Sequence, residues 1–160
     1  MRVAFSLGSN LGDSPSLLGA GVNGLREWGR IDDLRVSRVY RTAPWGVTDQ
    51  PDFLNLVVVG ESSMPPDELL AVAQGLEAEA GRVRPHVGAP RTLDIDLLAV
   101  GDLVIDDPDL VLPHPRAHLR GFVLVPWAEV DPDFVLVGHG RIADLAAAVD
   151  RSGVHLDGEA

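Results

Sequence analysis

The sequence predicts an α+β domain: an antiparallel β-sheet with two helices packed on one face. Three observations carry this. Hydrophobic periodicity alternates between about 2 and about 3.6 in the order β-α-β-β-α-β. Both helical segments of this core open at a Pro and close at a Gly. The chain has 160 residues, 46% of them hydrophobic and 23% charged, which suits one domain with a sizeable core. This element order is the ferredoxin-like split βαβ pattern. The architecture hosts many activities and by itself implies none.

The elements follow in order. "VAFSLGSN" reads as a short strand running into the Gly-rich turn "GSNLGD". Ser14 before Pro15 starts a helix whose Leu18, Val22 and Leu25 share one face, and Gly29 stops it. Gly19, Gly21 and Gly24 weaken that helix. "LRVSRVYRT" alternates and is rich in β-branched residues, so it reads as one strand. A loop with two prolines leads to the strand "FLNLVVVGES". "PPDELLAVAQGLEAEAG" is a helix with acids in its first turn, a Leu69/Val72/Ala73/Leu76 stripe and Gly81 at its end. "TLDIDLLAVGDLVI" reads as a strand and hairpin. A loop bearing His and Arg, the apolar run "FVLVPWAEV" and a helix from about Arg141 to Val149 complete the chain. No repeat or linker interrupts it, so residues 1–160 are expected to form a single domain, with the tail 151–160 disordered.

Composition excludes several chemistries. There is no Cys, hence no disulfide, thiolate metal site or cysteine nucleophile. All 13 basic residues are Arg. Without Lys there is no P-loop, no protein-kinase phosphate lysine and no Schiff base. A net charge of −11 argues against general nucleic-acid binding. The first apolar run, Val3 to Leu7, is too short for a signal peptide, and no stretch approaches the ~18 apolar residues of a membrane span. A cytoplasmic protein without membrane or nucleic-acid partners is the expectation.

The charge distribution points to a site. Residues 80–93 contain Arg82, Arg84 and Arg91 and no acid; residues 110–128 contain His114, Arg116, His118 and Arg120 and again no acid. Between these windows lie Asp94 and Asp96. On a strand the two carboxylates share a face, about 7 Å apart, with Leu93, Ile95 and Leu97 on the other. Such a pair is disfavoured unless a cation sits with it. Mg²⁺ held by one or two carboxylates, waters and substrate phosphates fits the pattern, although a plain solvated strand face fits the pair alone equally well. Phe53 and Asn55 form a second i, i+2 pair, suited to a flat heterocycle that stacks on one side chain and bonds to the other at its edge. Gln74 and Glu77 lie off the apolar stripe of their helix, where a solvated face is the simpler reading. The loops 41–52 and 82–90 exceed the usual median of about 4–6 residues and are candidate lids.

The segments "GSNLGD", "YRTAPWGVTDQPDFLN", "GRVRPHVGAPRTLDIDLL" and "LPHPRAHLRGFVLVP" together resemble the 6-hydroxymethyl-7,8-dihydropterin pyrophosphokinases, from about Val3 to Val149. The resemblance implies a ferredoxin-like monomer that uses two Mg²⁺ to transfer the β,γ-pyrophosphate of ATP to the pterin and releases AMP. It implies that Asp94 and Asp96 hold both ions. It places Arg82 and Arg91 in the catalytic loop, with Arg84 and Arg91 on the nucleotide side. Gln74, Glu77, His114 and Arg120 match ATP-site positions. Thr42, Pro44 and Trp45 match backbone contacts to the pterin, Asn55 its edge, and Phe53 and Phe122 its two faces. The chain departs from the family pattern at "VGAP", Val87 to Pro90, which lacks the usual loop aromatic. It also has "HLR" at His118 to Arg120 and a Trp at position 45. The alternative is a ferredoxin-like regulatory module that binds nucleotide and metal without turnover.

Overall fold

The computed structural model describes residues 1–10, 14–42, 52–81 and 93–157. Its elements are β1 (Arg2–Ser9), α1 (Ser14–Trp28), β2 (Asp32–Val36), β3 (Tyr40–Thr42), β4 (Phe53–Glu61), α2 (Pro66–Gly81) and β5 (Asp94–Val100). Then follow β6 (Ile105–Asp106), β7 (Val111–Leu112), α3 (Gly121–Val130), β8 (Val135–Leu136), β9 (Gly140–Arg141), α4 (Ile142–Ala148) and β10 (Val154–Leu156). The main sheet runs β10-β3-β4-β1-β5, with β2 pairing the other end of the β4 edge that β3 occupies. Every pairing is antiparallel. This is the expected α+β ferredoxin-like arrangement.

The two faces of the sheet carry different cores. Phe5, Leu7, Leu56, Val58, Ile95 and Leu97 meet Leu18, Leu25, Leu69 and Ala73 of α1 and α2. Gly24 lies where a Cβ would stand 2.3 Å from Leu76 Cδ2, so its missing side chain lets the two helices approach. Ala4, Val57, Val59, Leu98 and Ala99 meet α3 and α4 through Val123, Leu124, Trp127, Ile142 and Ala146. The sheet is thus covered on both faces, where the sequence led to helices on one. The additional layer is α3, apolar on nearly all sides because it lies between the sheet and α4.

Two local expectations change. "LRVSRVYRT" is two strands, because Ser37 enters the ladder: its N–H donates to Val57 O at 2.9 Å and its Oγ accepts from Val57 N at 2.9 Å. That side-chain bond displaces regular backbone pairing and splits β2 from β3. The hairpin does not fold back on β5. Gly101, at φ +55°, ends β5, and a tight turn with Asp107 N–H donating to Leu110 O at 3.0 Å pairs β6 with β7. In the tail, β10 pairs with the edge of β3. No helix among the described residues is long and apolar enough to cross a membrane.

Candidate active site

The face of the sheet covered by α3 and α4 is apolar only over one half. In register-paired rows the other half carries Ser6 beside Asp96; Tyr40, Asn55, Gly8 and Asp94 in line; and Thr42 beside Phe53. Paired residues of an antiparallel ladder project to the same side, so these groups share one face of the sheet. Above it lies a cavity of about 980 Å³, walled on the far side by Arg116, Leu119, Arg120, Gly121 and Phe122. That volume suits a nucleotide-sized or heterocyclic ligand.

At one end stand the two acids. Asp94 and Asp96 line the cavity, while Ile95 between them is buried among the α2-side core residues. Arg120 Nη1 lies 3.8 Å from Asp96 Oδ2, and its guanidinium also sits over the Phe122 ring at 5.5 Å. A smaller cavity of about 240 Å³ opens on the other side of Asp96, with His114, Pro115, Leu110 and Leu70 in its wall. His114 is held there by its N–H donating to Leu98 O at 2.8 Å, and its Nδ1 accepts from Arg116 N at 3.1 Å. Burial lowers the His114 pKa, assisted by Arg120 and Arg116 and opposed by Asp96, so the neutral imidazole is favoured.

At the other end stand Asn55, Thr42 and two aromatic rings. Asn55 is buried, and its Nδ2 donates to Thr42 Oγ1 at 2.9 Å. Phe53 and Phe122 both line the cavity. Beside Asn55, a Cβ on Gly8 would stand 2.9 Å from Asn55 Oδ1, so Gly8 provides clearance for the carboxamide. The sequence suggested only a tight turn there.

Of the residues singled out in the sequence, the structure brings together Asp94, Asp96, Arg120, Thr42, Phe53, Asn55 and Phe122, with His114 one cavity away. Glu77 accepts the N–H of Ile95 at 2.9 Å, tying α2 to the strand between the two acids, so that bond joins protein to protein. Gln74 is exposed on α2 and lines neither cavity. Pro44, Trp45, Arg82, Arg84 and Arg91 lie outside the described residues. Sequence reasoning assigned no role to Ser6, Gly8, Leu119 or Arg116. Arg116 was visible as part of an acid-free window, whereas the others carry no signal without the register.

Asp94 and Asp96 offer hard oxygen ligands on one open surface, and no group of three or more His, Asp or Glu side chains gathers among the described residues. Two carboxylates with the remaining positions left to water and phosphate fit Mg²⁺.

The open antiparallel α+β sheet thus carries paired acids at one end of the cavity and an aromatic–amide pair at the other. The chain belongs to the family of 7,8-dihydro-6-hydroxymethylpterin-pyrophosphokinases (HPPK), whose model matches residues 4–132. A 2-amino-4-hydroxy-6-hydroxymethyldihydropteridine pyrophosphokinase of Methylorubrum extorquens is 42% identical over 153 residues, 96% of each chain. Enzymes of the same name from Mycobacterium leprae and Pseudomonas aeruginosa are 43% and 36% identical, over 94% and 96% of this chain and 80% and 94% of theirs. Among solved structures, wild-type Plasmodium falciparum HPPK-DHPS with pteroate superposes with a TM-score of 0.68 at 12% identity. That match covers 91% of this chain and 44% of the other, so this chain spans less than half of it. It supports the fold alone.

Proposed function

We propose that this protein transfers the β,γ-pyrophosphoryl group of ATP to the hydroxymethyl group of 6-hydroxymethyl-7,8-dihydropterin, yielding AMP and the pterin diphosphate in folate biosynthesis. One observation carries the reading: in a chain of this family, the sheet surface that holds the acid pair also holds the Asn55/Phe53 seat.

The roles proposed are those the family resemblance implies, and the lining of the cavity supports them. Phe53 and Phe122 stack on the pterin, and the fixed Asn55 carboxamide bonds its edge. The pterin hydroxyl oxygen attacks the β-phosphorus, the bond from that phosphorus to the α-phosphate oxygen breaks, and AMP departs carrying the electron pair. The hydroxyl proton passes to solvent or product phosphate. Arg120, planar and permanently charged, faces the anionic end of the cavity, and the family resemblance adds Arg82, Arg84 and Arg91 on the nucleotide side. Asp94 and Asp96 would hold magnesium, which when bound offsets the charge of the moving group. The family resemblance assigns His114, Gln74 and Glu77 to the nucleotide side; His114 lines the smaller cavity beside Asp96, Glu77 bonds Ile95 between the acids, and Gln74 rests on the resemblance alone. Thr42 fixes Asn55, and the family resemblance assigns Pro44 and Trp45 backbone contacts to the pterin. Positioning and electrostatics supply the catalysis. The protein is proposed to act as a cytoplasmic monomer.

The test is purified protein with magnesium, ATP and hydroxymethyldihydropterin, followed by nucleotide chromatography. AMP and the pterin diphosphate are expected in equal amounts. ADP, or nucleotide binding without any product, would overturn the proposal; the second outcome would identify a regulatory module.

A further inference from the structure

The family model ends at residue 132, yet residues beyond it line the same cavity: Asp150, Ser152, Gly153 and Val154. Contacts on both sides fix them there. On one side β10 pairs with β3, setting Val154 opposite Thr42, His155 opposite Arg41 and Leu156 opposite Tyr40. Asp157 Oδ1 accepts from Arg41 Nη2 at 2.6 Å and Nε at 3.2 Å, and the Asp157 N–H donates to Val39 O at 2.9 Å. On the other side is Gly121, the first residue of α3. A Cβ there would stand 2.7 Å from Asp150 O and 3.4 Å from Val154 Cγ2, so the helix start and the tail are in close contact. The turn between is closed by Asp150 Oδ1, which accepts from Ser152 N at 2.9 Å and Ser152 Oγ at 2.7 Å. Gly153 supplies the left-handed φ of +83°.

The segment therefore sits between the strand that carries Thr42 and the helix that carries Phe122. Val154, Thr42 and Phe53 form one register row with their side chains on the cavity side. We propose that the C-terminal segment Asp150–Asp157 is a wall of the pterin pocket: Val154 lines it, and the Arg41–Asp157 pair positions Thr42 relative to Phe122. The proposal rests on the pterin reading above. It predicts that the tail governs pterin affinity and leaves nucleotide affinity alone, because the acid pair lies on β5, at the opposite edge of the sheet from β10.

Three variants test it: Val154→Phe, which narrows the wall; Asp157→Arg, which breaks the clamp; and Arg41→Asp combined with Asp157→Arg, which restores the pair reversed. Pterin and non-hydrolysable ATP affinities are measured by titration calorimetry with magnesium, alongside kcat and KM, melting temperature, and hydrogen exchange across residues 40–42. Val154→Phe and Asp157→Arg should raise the pterin Kd and KM about tenfold or more, the scale on which a small misplacement acts, with nucleotide Kd and melting temperature nearly unchanged. The double variant should recover pterin affinity. Hydrogen exchange at 40–42 should rise in Asp157→Arg and not in Val154→Phe, a readout that needs no ligand. Unchanged pterin affinity in an active wild-type background overturns the wall, as does a parallel loss of pterin and nucleotide affinity that follows melting temperature. A wild-type protein that binds pterin but releases no AMP defeats the catalytic reading and leaves the wall standing; one that binds no pterin defeats both.

Discussion

Asn55 can read the edge of a heterocycle only if its amide is held in one orientation, and two neighbours hold it. Thr42 accepts its Nδ2 hydrogen at 2.9 Å, and Gly8 leaves the space that its Oδ1 fills. A methyl at Gly8 would stand 2.9 Å from that oxygen, so the carboxamide must turn and lose Thr42. Gly8→Ala should raise the pterin KM about tenfold with a smaller change in kcat, as expected when a ground-state contact is misplaced. Steady-state kinetics at saturating ATP check this. Gly19 and Gly75 are the contrast, exposed on helices where an added methyl would meet nothing within 4 Å. Their change to Ala should leave kinetics unaltered and stabilise the fold by about 0.5–1 kcal/mol each, read as a higher melting temperature. Asp96 behaves differently again. Its side chain is 44% exposed and outside the apolar cores, so Asp96→Ala should keep the circular dichroism spectrum while turnover falls about 10²–10³-fold.

At the scale of elements, the seat depends on how β3 is moored to α3. Glu129, near the end of α3, accepts from Tyr40 Oη, from Arg38 N at 2.8 Å and from Arg38 Nε at 3.0 Å. Burial pushes the Glu129 carboxyl up, but the bonds from Tyr40 and Arg38 outweigh it and hold its pKa below the usual value. The folded state therefore binds this proton less readily than the unfolded chain. The stabilisation is complete above the ordinary glutamate pKa near 4.5 and is lost as pH falls through the lowered folded value. Glu129→Ala leaves the buried Tyr40 hydroxyl and the Arg38 N–H without their acceptor and should cost about 1–3 kcal/mol at pH 7 by urea denaturation. The gap to wild type should shrink in strong acid; a constant gap would show that packing, rather than the charge, was lost. Most elements were legible from the residues because their periodicity reports a face. α1, α2 and β5 bury Leu18, Leu69 and Ile95 as their spacing indicates. α3 was not, since "FVLVPWAEV" is β-branched, contains Pro126 and is apolar on almost every side, so no period betrays its helix. β10 was hidden for the opposite reason: a three-residue strand is defined by the edge of β3 that it joins, and its own sequence carries little signal. The acid pair could be read from alternation along one strand, whereas Gly8, Ser6 and Val154 join the site only through cross-strand register.

For the whole molecule the controlling quantity is charge. A protein of net charge −11 is proposed to bind a highly anionic nucleotide beside two more carboxylates. Arg116 and Arg120 soften the local field, and Arg120 already leans toward Asp96 at 3.8 Å. Without a divalent cation the acid pair should repel the phosphates; with it, the same pair becomes the attachment point. The sign of a mutation should therefore reverse with the metal. In magnesium, Asp96→Asn should weaken ATP binding about tenfold or more, because one ligand oxygen and its charge are gone. With a chelator present, wild-type affinity for bare ATP should fall well below its magnesium value, and Asp96→Asn should now bind bare ATP more tightly than wild type, since a repulsive charge has been removed. Calorimetry of both proteins under both conditions gives the four constants. If Asp96→Asn is weaker under both conditions, Asp96 holds the nucleotide site together by structure. If it is tighter under both, the carboxylate never seats a cation. Only the crossing of the two orders is what a metal seat in an acidic protein requires.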